Sequence, residues 1–141
     1  MKIRKIIKWI WFPVLVLMAL IWYRTPVTFL RGVEPEEVAR ITIFDGNTGE
    51  ELTVTRQAEI AHIVENVRSV KVHRGGIAFL TMGYRFRMTF WRADGQELAQ
   101  FTVNSESLLR DTFFFYESEE GGLCFDYIHG LLDAAFDYSW Y

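Results

Sequence analysis

The sequence predicts an α+β domain that follows one N-terminal transmembrane helix. Three features indicate this fold: a basic stub that leads into an uncharged apolar run, a segment in which apolar and polar residues alternate, and two segments with apolar residues at helical spacing. Alternation is typical of an antiparallel strand with one buried face, and helical spacing is typical of a helix packed on a sheet. We therefore expect an antiparallel sheet packed against two helices, in the order ββα, β meander, α.

The N-terminal segment predicts a membrane anchor. The apolar run from Trp9 to Tyr23 follows a stub whose basic residues are not offset by any acidic one: Lys2, Arg4, Lys5 and Lys8. Counted from Ile6, the segment has 18 residues, or about 27 Å of helix, which is close to the hydrocarbon thickness of a bilayer. The positive stub predicts a cytoplasmic N-terminus, and thus a single-pass protein of the cell membrane with an extracellular C-terminal domain.

Three other interpretations of this segment are less favoured. A cleaved signal needs small residues before the cleavage site, whereas residues 20–23 are bulky (LIWY). A lipoprotein signal needs a cysteine directly after the run, and the chain's one cysteine is Cys124. A buried helix of a soluble fold would have to be surrounded on all sides, for which a domain of this size lacks the volume. An uncleaved anchor therefore fits best.

We predict three parts in the chain. Residues 1–24 form the stub and the anchor, residues 25–37 form a linker that contains two prolines and a glycine, and residues 38–141 form one extracytoplasmic domain. About 110 residues after the anchor match a common single-domain size. Because a single cysteine cannot form an internal disulfide, the domain must be held together by its apolar core.

Charge is divided unevenly along the chain. After residue 23 the chain carries 11 basic and 18 acidic residues, a net charge of −7. Most of the imbalance lies in the C-terminal third, where one basic residue, Arg110, accompanies these acidic residues: Glu106, Asp111, Glu117, Glu119, Glu120, Asp126, Asp133 and Asp137. Nucleic acid is disfavoured as a partner, because neutralising phosphates needs clustered Lys and Arg. By net charge alone, a cationic partner would suit the acidic part of the chain better.

The first half of the domain predicts a hairpin and a helix. Residues 40–44 and 51–54 are rich in β-forming types and flank residues 45–49 (DGNTG), in which Gly and Asn tolerate positive φ. Thr55 is the predicted N-cap of a helix over residues 56–68. The apolar stripe of that helix consists of Ile60, Ile63, Val64 and Val67.

The second half predicts a strand meander and a closing helix. The clearest alternation lies in residues 84–91, where Phe86, Met88 and Phe90 are predicted to face the core. The glycine-flanked apolar segment 75–83 predicts no single conformation. The other predicted elements are short strands at 70–73, 98–103 and 112–116, and a final helix with Ile128, Leu131, Leu132, Ala135 and Phe136 at helical spacing.

Three stretches of the domain resemble a family of small envelope proteins of Gram-positive bacteria. The similarity lies in residues 41–49 (ITIFDGNTG), 83–87 (GYRFR) and 94–98 (DGQEL), and it covers roughly residues 38–132. The family consists of membrane-anchored or lipidated domains of unknown function, and this chain lacks the lipobox of the lipidated members. Because the shared motifs are strands and turns, the resemblance implies a location and a fold, and it assigns no activity.

Two patterns that could bind a metal ion favour other interpretations. Asp45, Asn47 and Gly49 alternate as in a calcium loop, but the twelfth position is Arg56 where an EF-hand has Glu, so a hairpin turn is favoured. The histidines, His62, His73 and His129, lack a second ligand at a zinc-binding spacing. His62 does share a helix side with Glu65, but one such pair is far short of a zinc site. No metal and no cofactor are predicted.

No catalytic residue is predicted either. Cys124 lies near His129, as a nucleophile and its base would. However, no nucleophile turn precedes the cysteine, and its acidic neighbourhood would disfavour the thiolate.

The predicted binding residues are Arg85, Arg87 and Trp91, on the side of the strand that faces away from the core. Alternate residues project together about 7 Å apart, and a guanidinium suits bidentate pairing with a carboxylate or an anionic polymer. The competing interpretation is a solvated sheet face balanced by Glu97 on the next strand, in which exposed ion pairs contribute little.

These observations predict a membrane-tethered extracytoplasmic domain that binds another envelope component, a protein or a polymer, and has no catalytic activity. Its contact would be the sheet face or the acidic C-terminal third. An immunity or inhibitor protein against an exported toxin or enzyme is the alternative. A small envelope hydrolase is less favoured, because no arrangement of carboxylates in the sequence selects a catalytic pair.

Overall fold

A computed structural model describes residues 2–136 and has the expected α+β fold. Its helices are α1 (Lys2–Arg24), α2 (Gln57–Ser69) and α3 (Phe125–Phe136). Its strands are β1 (Arg40–Asp45), β2 (Glu51–Val54), β3 (His73–Ile77), β4 (Phe86–Trp91), β5 (Glu97–Val103), β6 (Leu108–Arg110) and β7 (Phe114–Glu117). The seven strands form one antiparallel sheet in the order β2-β1-β4-β5-β6-β7-β3. Asp137 of the acidic segment and the predicted end of the domain at residue 141 lie outside the described residues.

The core lies between one face of the sheet and helices α2 and α3. Phe86, Met88 and Phe90 of β4 are fully buried, as the alternation predicts. The apolar stripe of α2 is also fully buried, and α3 contributes Ile128 and Leu132 to the same apolar cluster. The hydrophobic effect of this single cluster therefore holds the sheet and both helices together.

The predicted hairpin is confirmed, since β1 and β2 pair from Ile41 opposite Val54 to Phe44 opposite Glu51. The predicted N-cap is wrong. Helix α2 is preceded by Arg56 in an extended conformation, and no side chain caps its first turn. An ion pair between Arg56 and Glu59, with 3.3 Å between Nη1 and Oε1, spans that turn instead.

Strand β6 is an element that the sequence pattern did not indicate. It has three residues, Leu108–Arg110, which are too few to show a period of two. Strand β3 begins at His73, later than predicted, and extends into the segment at 75–83. Residues 78–85 then connect β3 to β4 without regular secondary structure, apart from a turn closed by the Thr81 N–H donating to the Ala78 carbonyl.

Helix α1 is long and apolar enough to cross a membrane, and none of its residues is buried by the rest of the protein. Its C-terminal end contacts strand β3. The Arg74 Nη1 donates to the Trp22 carbonyl at 2.8 Å, and the guanidinium lies 3.9 Å from the centre of the Trp22 ring. The Tyr23 hydroxyl donates to the Gly75 carbonyl. Helix α1 is thus joined to the domain through noncovalent contacts as well as through the chain.

The segment predicted as a linker packs on the domain. Val27 pairs with Val72 in an isolated antiparallel bridge, and Leu30 is buried in the core cluster. The Phe29 ring packs edge-on against Phe101 and Tyr116, with centroids 5.1 and 4.9 Å apart. Since Leu30 is buried and Val27 and Phe29 are half-buried against the core, this segment positions the domain relative to the end of α1.

Candidate functional site

The face of the sheet turned away from α2 and α3 is built by the pairing of β1 with β4. Their register places Arg40 opposite Trp91, Thr42 opposite Thr89 and Phe44 opposite Arg87. Because alternate residues of both strands point into the core, these six side chains project to the opposite side. We call this surface the outer face. It also includes Gln100 from β5 and Glu51 from β2.

Each arginine of the outer face lies against an aromatic ring. The Arg40 Cζ is 5.0 Å from the centre of the Trp91 ring. The Arg87 Cζ is 5.3 Å from the Phe44 ring and 4.6 Å from the Tyr84 ring, and its Nη2 donates to the Tyr84 hydroxyl at 2.9 Å. A cation over an aromatic ring is stabilised by the quadrupole of the ring. Both guanidiniums are therefore held in place on the sheet surface.

A polar strip separates the two arginine–aromatic pairs. The Trp91 Nε1 donates to the Thr42 Oγ1 at 3.1 Å, and the Gln100 Nε2 donates to the Thr89 Oγ1 at 3.1 Å. The outer face encloses a shallow depression of about 330 Å³, whose one acidic lining residue is Glu51. The arrangement can donate hydrogen bonds and offer flat aromatic surfaces, which are the properties of a binding surface.

Arg85 does not lie with Arg87 and Trp91. Strand β4 begins at Phe86, so Arg85 precedes the regular alternation, and its backbone is held by the Gly46 N–H and the Asn104 side chain. Its guanidinium turns to Asp45, with 3.7 Å between Nε and Oδ1. Asp45 is fully buried, so the attraction of this carboxylate accounts for the direction of Arg85. The structure thus brings together Arg87 and Trp91 and separates Arg85 from them.

Arg85 and Asp45 instead lie in a second cavity, of about 660 Å³, between the β1–β2 turn and α3. We call it the Asp45 cleft. On α3, the His129 Nδ1 is 3.0 Å from the Asp133 Oδ2, and both residues line the cleft. Sequence reasoning missed this pair, although the separation of four residues on a predicted helix was a signal that could have found it.

The turn at the mouth of the Asp45 cleft has the predicted hairpin geometry. Asp45 Oδ1 accepts a hydrogen bond from the Asn47 N–H at 2.9 Å, and the Gly49 N–H donates to the Asp45 carbonyl at 2.8 Å. Within residues 2–136, no group of three or more His, Cys, Asp or Glu side chains is arranged to hold a metal ion. The turn is therefore explained by its own hydrogen bonds.

Cys124 is buried, and His129 lies against Asp133. Burial raises the pKa of Cys124 to about 11, so its thiol is protonated at neutral pH and is a poor nucleophile. His129 pairs with Asp133, and the His62 ring packs on Tyr127 with centroids 4.0 Å apart. These histidines thus have structural contacts.

The acidic C-terminal third offers a different surface. Glu119 and Glu120 line a cavity of about 480 Å³ beside Lys71 and His73. A hydrogen bond and repulsion from Asp126 raise the pKa of Glu106. Here Lys71 and His73 lie among the acidic groups, whereas the outer face combines charge with aromatic area.

Comparisons of the chain with protein-family models, curated proteins and solved structures found no match. The geometry of these surfaces therefore carries the functional assignment.

Proposed function

We propose that this chain is a single-pass membrane protein with a cytoplasmic N-terminus, whose extracytoplasmic domain binds an anionic component of the cell envelope through its outer face. The length and apolar character of α1, together with the basic stub before it, support the membrane part of the proposal. The resemblance to membrane-anchored envelope domains agrees with this location. The domain acts by binding, without catalysis.

The observation that carries the proposal is the pair of arginine–aromatic contacts on the outer face. Arg87 lies opposite Phe44, four residues along β1 from Arg40. At about 3.3 Å per residue, the two arginines are separated by about 13 Å along the strands. This spacing suits an extended chain that carries repeated anionic groups better than a single carboxylate. Phosphodiester and carboxylate polymers share this chemistry, and the outer face offers them a local pair of cations although the rest of the domain is acidic.

The side chains of the outer face favour binding over catalysis. The guanidiniums of Arg40 and Arg87 are able to donate paired hydrogen bonds to an anion, and Trp91 adds a rigid apolar surface. Arg and Trp are also enriched among the residues that dominate many binding sites. Thr42 and Thr89 already accept hydrogen bonds from Trp91 and Gln100. No base lies beside either hydroxyl in the contacts described for this face, so neither threonine is set up as a nucleophile.

Binding is tested with the full chain in lipid nanodiscs and two soluble probes, a glycerol-phosphate polymer and polyglutamate. The double variant Arg40→Ala/Arg87→Ala should bind the preferred probe at least about tenfold more weakly, because it loses two charge-assisted contacts. The matched control is Arg56→Ala/Arg68→Ala, which removes the same charge from the two ends of α2 and should bind like the original chain.

Comparison of the two probes identifies which anionic group is recognised. Equal weakening by both double variants would indicate general charge attraction and reject the outer face as a site. Failure of the original chain to bind either probe would reject an anionic polymer as the partner.

The topology has its own test. A reporter enzyme that is active only in the cytoplasm, fused after Tyr141, should be silent, because the positive stub keeps the other end of the chain inside. Recovery of a soluble product that begins near Arg24 would indicate cleavage and contradict the anchor.

A further inference from the structure

A cluster of large apolar side chains is exposed at one end of the β3–β7 pair. Their exposed fractions range from 59% for Phe113 to 95% for Met82. We call this cluster the apolar tip: Ile77, Phe79, Leu80, Met82 and Phe113. Contiguous exposed apolar surface of this kind usually marks a protein or membrane contact.

The apolar tip has a defined structure. The Phe79 and Phe113 rings stack with centroids 6.4 Å apart, and the Ala78 N–H donates to the Phe113 carbonyl at 2.8 Å. Arg110 reaches under the segment and donates to three of its carbonyls, those of Ala78, Thr81 and Gly83, at 3.2, 2.6 and 2.8 Å. Three backbone carbonyls of the segment are thus satisfied from the protein side, while the apolar side chains are exposed. A segment that enters lipid needs this property, because lipid offers no hydrogen bonds.

The direction of β3 brings the apolar tip toward α1. The chain leaving α1 runs from Tyr23 to Val27, while its neighbour β3 runs the opposite way, with Val72 beside Val27 and Gly75 beside Tyr23. Strand β3 therefore returns toward the helix as it approaches Ile77. From Gly75, which contacts Tyr23, strand β3 continues two residues to Ile77, a distance of about 7 Å, before the chain turns at residues 78–81. This course leaves the tip beside the last turns of α1.

Aromatic contacts support the same placement. The Trp22 and Tyr23 rings each pack edge-on against Phe114, with centroids 6.2 Å apart in both cases. Phe114 is the strand partner of Ile77 and the chain neighbour of Phe113. Trp and Tyr favour the boundary between lipid and water, so this junction marks the level of the headgroups.

We infer that the apolar tip inserts into the outer leaflet of the bilayer next to α1 and forms a second membrane contact of the domain. The inference rests on the proposed function, since it takes α1 to be the membrane span. Two contacts on one surface fix the orientation of a domain, whereas a single tether lets it rotate. The outer face would then be presented to the envelope at a constant angle.

The test uses the full chain with Cys124→Ala in nanodiscs, and an environment-sensitive fluorophore on one introduced cysteine at a time. Leu80→Cys and Met82→Cys report on the tip, Leu15→Cys reports on α1, and Glu119→Cys, beyond the other end of β7, is the aqueous control. Brominated lipids should cause loss of emission from the labels at 80, 82 and 15. Iodide in the buffer should quench the label at 119 alone.

The outcomes separate the two proposals. Lipid quenching at 15 with iodide quenching at 80 and 82 would overturn the membrane contact of the tip and leave the anchor intact. Protection of 80 and 82 from iodide without lipid quenching would assign the tip to a protein partner or a second copy of the chain, and would also overturn the inference. Absence of lipid quenching at 15 would contradict the anchor itself.

Discussion

The two faces of strand β4 differ in what covers them. Phe86, Met88 and Phe90 are fully buried beneath α2 and α3. Arg87 and Trp91 instead project from the outer face, where Arg87 lies against Tyr84 and Trp91 lies against Arg40. Residues that stabilise the fold and residues that are proposed to bind a partner therefore alternate along β4. Changes on the covered face should affect folding, and changes on the outer face should affect binding.

The largest expected effect lies on the covered face. Phe86→Ala should lower the free energy of unfolding by about 3–5 kcal/mol, because it removes a fully buried ring and leaves a cavity. Chemical denaturation of the full chain in detergent measures the change. Arg87→Ala, at the adjacent residue, is the matched control and should change the free energy by a few tenths of a kcal/mol. Similar losses in the two variants would mean that the two faces do not differ as described.

Arg85 tests the boundary between the two faces. Arg85→Ala should cost about 1–3 kcal/mol, because it leaves the buried Asp45 carboxylate without its cation. The cost should shrink in a chain that also carries Asp45→Asn, which removes the charge. If denaturation found Arg85→Ala as mild as Arg87→Ala, the pairing with Asp45 would contribute nothing to stability.

Local periodicity was enough to predict the core, but the candidate site also depends on where elements end. The alternation in residues 84–91 identified Phe86, Met88 and Phe90 correctly. The alternation grouped Arg85 with Arg87, because a sequence pattern cannot show that strand β4 begins at Phe86, one residue after Arg85. The contribution of Arg40 required the β1–β4 register, which is a long-range pairing.

The junction of α1 with the domain could not be predicted for a similar reason. It depends on Val27 meeting Val72 and on Trp22 meeting Arg74, and these residues are far apart in the chain. The composition of residues 25–37, with Pro and Gly, is also typical of a free spacer. Tertiary contacts override that local tendency here.

Alkaline pH should lower the free energy of unfolding through Tyr116, which lies in the core cluster. Burial and a hydrogen bond to Asp111 raise the pKa of Tyr116 from 10.0 to about 12. Since the neutral phenol is favoured in the folded state, its contribution is fully present below pH 10 and is lost as the pH rises through 12. Tyr116→Phe should therefore lose less stability than the original chain between these pH values, as measured by denaturation midpoints. Parallel curves for the two proteins would contradict this linkage.

The smallest expected effect on stability concerns the exposed residues of the apolar tip. Leu80→Asp should change the free energy of unfolding in detergent by only a few tenths of a kcal/mol, because the Leu80 side chain is 86% exposed. A loss approaching that of Phe86→Ala would show that the apolar tip is packed within the domain instead of being available for lipid.

The indole N–H signal of Trp91 tests the central claim, that the outer face binds an anionic envelope polymer, most directly. In the ¹⁵N-labelled full chain the signal is assigned with Trp91→Phe, and the chain is titrated with the glycerol-phosphate polymer and then with polyglutamate. We expect the Trp91 signal to shift with the preferred probe, because its N–H lies on the outer face bonded to Thr42, while the signals of Trp9, Trp11 and Trp22 in α1 stay constant. Binding of either probe that leaves the Trp91 signal unmoved would contradict the claim.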